Sequence, residues 1–121
     1  GYSILRCNRE TREVQAAVWP RWVDPSRPGA RPHRGWPVTV KQMDNGLHGA
    51  EWTLEKIATP GHRDPVVQVR RESDGEVVYT LRINGESFTP LVREPGAYTV
   101  LAFDPDGGYR KAWKGLQARR L

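Results

Sequence analysis

Residues 64–103 read DPVVQVRR-ESDG-EVVYTLRI-NGE-SFTPLVR-EPG-AYTVLAF, four short runs with a turn signal at each junction. Val, Ile, Thr, Tyr and Phe dominate the runs, and these residues fit a pleated, half-buried surface. In the second run Val77, Tyr79, Leu81 and Ile83 alternate with Val78, Thr80, Arg82 and Asn84. A strand sends successive side chains to opposite faces, so this run has one apolar face and one largely polar face. In the fourth run Tyr98, Val100 and Ala102 share a face, with Ala97, Thr99, Leu101 and Phe103 on the other. Both faces there are apolar enough for a central strand.

The junctions carry turn chemistry of their own. Ser73-Asp74-Gly75 pairs a residue that tolerates a left-handed backbone with one that meets no steric penalty in it. Glu94-Pro95-Gly96 suits a type II turn, and Asn84-Gly85 is a further hairpin or bulge signal. The expected fold is therefore all-β, an antiparallel β-sandwich of the immunoglobulin/fibronectin-III-like kind. An open sheet or small barrel is the alternative, because strands alone do not fix closure.

Outward from this stretch, residues 1–19 form a β-hairpin pattern around the polar turn Asn8-Arg9-Glu10-Thr11. Val14, Ala16 and Val18 share one face, and Gln15, Ala17 and Trp19 the other. A two-stranded hairpin is marginal by itself. It either joins the later sheet or belongs to a sheet outside this chain. Residues 20–37 carry prolines at 20, 25, 28, 32 and 37, which forbids a continuous helix or central strand and predicts an extended connector of irregular or polyproline type. Residues 38–121 are expected to form the sandwich. Strand patterns are expected at 38–42, 52–57 and 109–114, with the Asn45-Gly46 turn signal in a loop at 43–51. The last seven residues read as a frayed tail.

The chain has 121 residues, enough for one domain, or one domain plus a fragment, with a single modest core. No run approaches the length of a membrane span, and a signal peptide is not expected from the strand-like opening. Cys7 is the only cysteine, so an internal disulfide and a multi-cysteine zinc site are excluded. It sits in an apolar run and reads as a buried small hydrophobe. The formal charge of +5 raises the interest of an anionic partner. However, the 19 Lys and Arg are spread among 14 acidic residues, as on a well-solvated surface.

No catalytic constellation stands out. His33, His48 and His62 all lie in loops, at spacings that do not place two imidazoles on one metal. Asp104-x-Asp106-Gly107 is turn chemistry and lacks the later acidic ligand of a calcium loop. The aromatic-basic interleave is more informative: Trp19-Pro20-Arg21-Trp22 and Arg34-Gly35-Trp36-Pro37. Exposed Trp beside Arg stacks on sugars or bases. The other reading, which we favour, is that these rings cement the connector onto a neighbouring domain. Trp19, Arg21, Trp22, Arg34 and Trp36 are the candidate contact residues in either case.

The strings at 1–6, 13–22, 35–39 and 65–69 resemble the C-terminal end of a bacterial PhoD-like alkaline phosphatase, a branch of the calcineurin-like metallophosphoesterases. Those at 75–83 and 95–100 resemble the β-sandwich appendage that follows the catalytic domain in such proteins. The family's catalytic motifs (D-x-H, G-D, G-N-H-[DE] and a late G-H-x-H) are missing; Gly61-His62-Arg63-Asp64 comes nearest and lacks the second histidine. Two-metal hydrolysis needs those ligands, so no catalytic, metal or cofactor residue carries over. The resemblance implies a non-catalytic accessory domain of an exported bacterial enzyme, periplasmic or extracellular. Its partner would be an upstream metallophosphoesterase domain or a self-associating interface. The opening hairpin would close that catalytic domain. The alternative is a free-standing module that binds carbohydrate or an anionic polymer.

Overall fold

A computed structural model describes residues 1–44 and 47–121, so the Asn45-Gly46 turn signal lies outside the described residues. The chain is all-β: its strands pair antiparallel throughout, and the one helical turn among the described residues is the short 3-10 segment Gln42–Asp44. It divides into two compact units, Gly1–Asn45 and Gly46–Leu121.

The first unit is a three-stranded sheet, β1 (Tyr2–Asn8), β2 (Glu13–Trp19) and β3 (Val38–Lys41), in the order β1-β2-β3. Asn8 holds the hairpin turn by accepting hydrogen bonds at its side-chain oxygen from the N–H groups of Glu10 and Thr11. The hairpin therefore takes its third strand from residues 38–41, a stretch expected to open the sandwich, and among the described residues pairs with no strand of the later sheets.

The second unit holds the organising stretch. Its largest sheet has the order β11-β10-β6-β7, formed by β6 (Val66–Arg71), β7 (Val77–Arg82), β10 (Ala97–Phe103) and β11 (Arg110–Gln117). β10 is central, as its two apolar faces predict: Tyr98, Val100 and Ala102 are fully buried while their neighbours are half-buried. The third run does not enter this sheet. Pro90 has no N–H to offer, and the run splits into β8 (Ser87–Phe88) and β9 (Leu91–Val92). The 52–57 pattern splits likewise into β4 (Trp52–Thr53) and β5 (Ile57–Ala58). β4 pairs with β9 and β5 with β8, and the Leu54 N–H donating to the Pro90 carbonyl at 2.9 Å links the two short ladders.

Both sets of strands feed one core. Val67, Val69, Leu81, Ile83, Tyr98, Val100 and Ala102 come from the large sheet and the end of β7; Leu54, Ile57, Phe88 and Val92 come from the short ladders. Each of the Val, Leu, Ile and Phe side chains contributes roughly 1.5–3 kcal/mol by leaving water. Thr59 is the buried polar residue of this unit. Its single hydroxyl proton is directed to the His62 carbonyl (2.9 Å), with the Glu86 carbonyl a longer second acceptor (3.3 Å).

Two further expectations are corrected. The tail is paired, not frayed: β11 runs to Gln117, β12 (Arg119–Arg120) pairs with β4, and the Leu121 N–H donates to the Glu51 carbonyl. Cys7 is exposed, not buried, because the face of β1 on which it stands is uncovered.

Candidate functional site

The two faces of the first sheet differ. Residues paired directly across antiparallel strands share a face, so Leu5, Ala16 and Val38 form one row and Cys7, Val14 and Val40 the next. Ser3 and Val18 complete this face, whose paired strand positions carry no charge; Arg9 and Arg12 border it at the Cys7, Val14 and Val40 end. It is open: Leu5 is 65% exposed, Val40 48% and Val38 42%. No described residue of this unit is buried. The sequence reading placed Val14, Ala16 and Val18 on one face but missed the rows that β1 and β3 add to it, although the alternation at 3–7 and 38–40 carries them.

The opposite face bears Ile4, Arg6, Gln15, Ala17 and Trp19, and the proline-rich segment lies over it. Pro32 and Pro37 line a cleft of about 130 Å³ with those five residues. Residues 20–37 form a chain of turns, with backbone bonds from Val23 to Pro20, Arg27 to Asp24, Ala30 to Arg27 and Trp36 to His33. Two bonds anchor them: the His33 N–H donates to the Val18 carbonyl at 2.8 Å, and the Tyr2 hydroxyl to the Val23 carbonyl at 2.5 Å. The first brings the two Trp/Arg strings to the same end of the sheet, since Trp19–Trp22 and Arg34–Trp36 follow the bonded residues directly.

The five predicted contact residues separate by burial. Trp19 is half-buried at the cleft, whereas Arg21, Trp22, Arg34 and Trp36 are exposed, Trp22 to 86%. The Arg21 guanidinium lies 4.7 Å from the centre of the Trp22 ring, a cation–π pair. Among the described residues no carboxylate pairs with Arg21, Arg31 or Arg34, while Arg27 reaches Asp24 at 3.7 Å. The Asp24 carboxylate also accepts from the Ser26 hydroxyl at 2.6 Å and the Ser26 N–H at 2.9 Å; the hydroxyl bond, chiefly, holds its pKa below the ordinary carboxylate value. Residues 1–45 carry eight Lys and Arg against four Asp and Glu, net +4, and residues 46–121 eleven against ten, net +1. The overall charge of +5 is therefore concentrated in the first unit.

The second unit offers a different texture. Arg71 and Glu94 help line a cavity of about 360 Å³ with Tyr79, Leu91, Val92 and Tyr98. The Arg71 guanidinium donates to Asp74 (2.9 Å), Glu76 (2.6 Å) and Glu94 (2.6 Å), which saturates it. The Tyr79 hydroxyl donates to the Leu91 carbonyl, and burial pushes its pKa up. These are structural knots. The loop histidines do not converge: His62 stacks on Tyr109 at 3.7 Å, and the His48 carbonyl accepts from Arg93. Among the described residues no three His, Cys, Asp or Glu are grouped to hold a metal, and no helix is long and apolar enough to cross a membrane.

No protein family, curated protein or solved structure matches this chain.

Proposed function

We propose that the chain is a non-catalytic accessory region of a PhoD-like metallophosphoesterase, attached to the catalytic domain through the apolar face of β1-β2-β3. The observation that carries this is a three-stranded sheet with an uncharged, open face and no buried residue. Such a sheet needs a packed face to be stable, and Leu5, Val14, Val38 and Val40 together gain several kcal/mol when covered. A neighbouring domain is the cover that the resemblance implies.

We further propose that the second unit is an immunoglobulin/fibronectin-III-like sandwich. Three features support it. The order β11-β10-β6-β7 has the neighbours of a four-stranded sandwich sheet, the short ladders contribute to the same core, and the Tyr98 hydroxyl donates back to the Glu94 carbonyl at 2.9 Å. That last bond has the form of a tyrosine corner.

The test is direct. The chain, assayed alone with added divalent metals, shows no phosphomonoesterase or phosphodiesterase turnover. It binds the separately expressed catalytic domain of a PhoD-like phosphoesterase on size exclusion, and Leu5→Glu abolishes that binding. Turnover by the chain alone, or no association, overturns the proposal.

The second reading is a free-standing module for carbohydrate or an anionic polymer. The exposed Trp22 with Arg21 on its ring favours it.

A further inference from the structure

We infer that the Arg21, Trp22, Arg34 and Trp36 end of the first unit binds single-stranded nucleic acid. This rests on the second reading above and names its ligand class; it is independent of what covers the apolar sheet face.

Four observations carry it. First, charge is segregated: residues 20–37 hold four arginines against one aspartate, and Arg21, Arg31 and Arg34 have no carboxylate partner among the described residues. Phosphate neutralisation by such side chains supplies most of the affinity of proteins for nucleic acids. Second, Trp22 and Trp36 are exposed in the same segment, with one face of Trp22 occupied by a guanidinium. Indole faces beside Arg are the stacking platforms on which unpaired bases rest. Third, the scaffold is preorganised: four turn bonds, the Val18–His33 bond and the Tyr2–Val23 bond fix the backbone that carries these side chains. Little ordering entropy remains to oppose binding.

The fourth observation separates nucleic acid from carbohydrate. A sugar hydroxyl both donates and accepts, and the strong side-chain acceptors that would take its proton are carboxylates and amides. Residues 20–37 contain no Glu, Asn or Gln, and the one Asp is committed to Ser26 and Arg27. The chemistry on offer is positive charge and flat aromatic faces, which a phosphate polymer with unstacked bases satisfies. A duplex hides its base faces and leaves the indoles unused.

The experiment is fluorescence anisotropy with the full chain and a fluorescein-labelled thymidine 20-mer, titrated across salt concentration. Inorganic polyphosphate and polygalacturonate serve as competitors. Three neutralised phosphates give a slope of log K on log salt of about −2. Trp22→Ala, at a position 86% exposed, keeps the fold and weakens binding about fivefold or more. Arg34→Ala lowers the slope by about 0.7. Polyphosphate competing as well as the 20-mer, with Trp22→Ala neutral, overturns stacking and hence the inference. Tighter binding of polygalacturonate overturns it while leaving a polymer-binding module standing. Failure to bind any of the three removes both.

Discussion

The Glu72 carboxylate reaches across β10 to the backbone of Gly115, accepting its N–H at 2.7 Å, and takes a second hydrogen bond from the Thr99 hydroxyl at 2.8 Å on the way. It acts where the ladder slips: Tyr98 faces Leu116 but Val100 faces Trp113, so β11 carries one residue more than its partner. A bulge leaves a backbone group unpaired, and Glu72 supplies its acceptor. These bonds, the Gly115 amide first, hold the Glu72 pKa below the ordinary value, and the Arg71 guanidinium chiefly does the same for Asp74. A carboxyl whose pKa is depressed on folding stabilises the fold above its unfolded pKa, about 4. That contribution is lost as pH falls through the folded value. Thermal denaturation between pH 7 and pH 2.5 is expected to show falling stability below about pH 4. A Glu72→Gln, Asp74→Asn double variant should show a shallower fall, and an unchanged profile would remove both carboxyls from the account.

Gly115 itself stands at φ +69 with open space where a Cβ would project. The cost of a side chain there is backbone strain, not collision. Gly115→Ala is expected to destabilise by about 1–2 kcal/mol, measured as a shift in the urea midpoint at constant slope. A neutral result would mean the bulge relaxes.

Thr59 is fully buried, and its hydroxyl proton lies between two carbonyls from different loops, nearer that of His62. Thr59→Val keeps the volume and removes the donor. The Glu86 carbonyl keeps the Thr59 N–H at 2.8 Å, so the loss falls on the His62 carbonyl, and leaving it without the hydroxyl costs about 1–3 kcal/mol. Thr59→Ser, which retains the hydroxyl, should lose less in the same denaturant titration.

Ile57 on β5 and Leu5 on β1 are both aliphatic side chains on strands, with opposite surroundings: Ile57 is 1% exposed and Leu5 65%. Ile57→Ala is expected to cost about 2–5 kcal/mol, because it opens a cavity in the core shared by the sheets. Leu5→Ser in the isolated chain should stay within about 0.5 kcal/mol. Equal losses would show that the face of β1 is covered in solution.

Cys7 stands on the same open face, opposite Val14. A maleimide probe is expected to label it stoichiometrically without denaturant. Protection of Cys7 that Leu5→Glu relieves would reveal a bound partner on that face.

Much of the fold was legible in the residues. The alternation at 77–83 marked the face whose Leu81 and Ile83 end is buried, and the two apolar faces of 97–103 marked a central strand, because period-two side-chain direction is a local property of a strand. Prolines at 20, 25, 28, 32 and 37 announced a segment without regular strands, since a missing N–H is also local. The candidate residues Trp22 and Trp36 could be singled out, but not their exposure. Partner choice was decided only in three dimensions: β3 could extend the first hairpin or open the second unit, and its four residues contain nothing that distinguishes these. The same holds for the third run, whose halves serve two short ladders around Pro90, and for the tail, which β4 captures. Cys7 lies on a strand with the alternation of a buried face, yet it is exposed, because burial depends on what a face meets. Strand formation follows from a residue and its neighbours; strand pairing and burial follow from surfaces that meet only once the chain has folded.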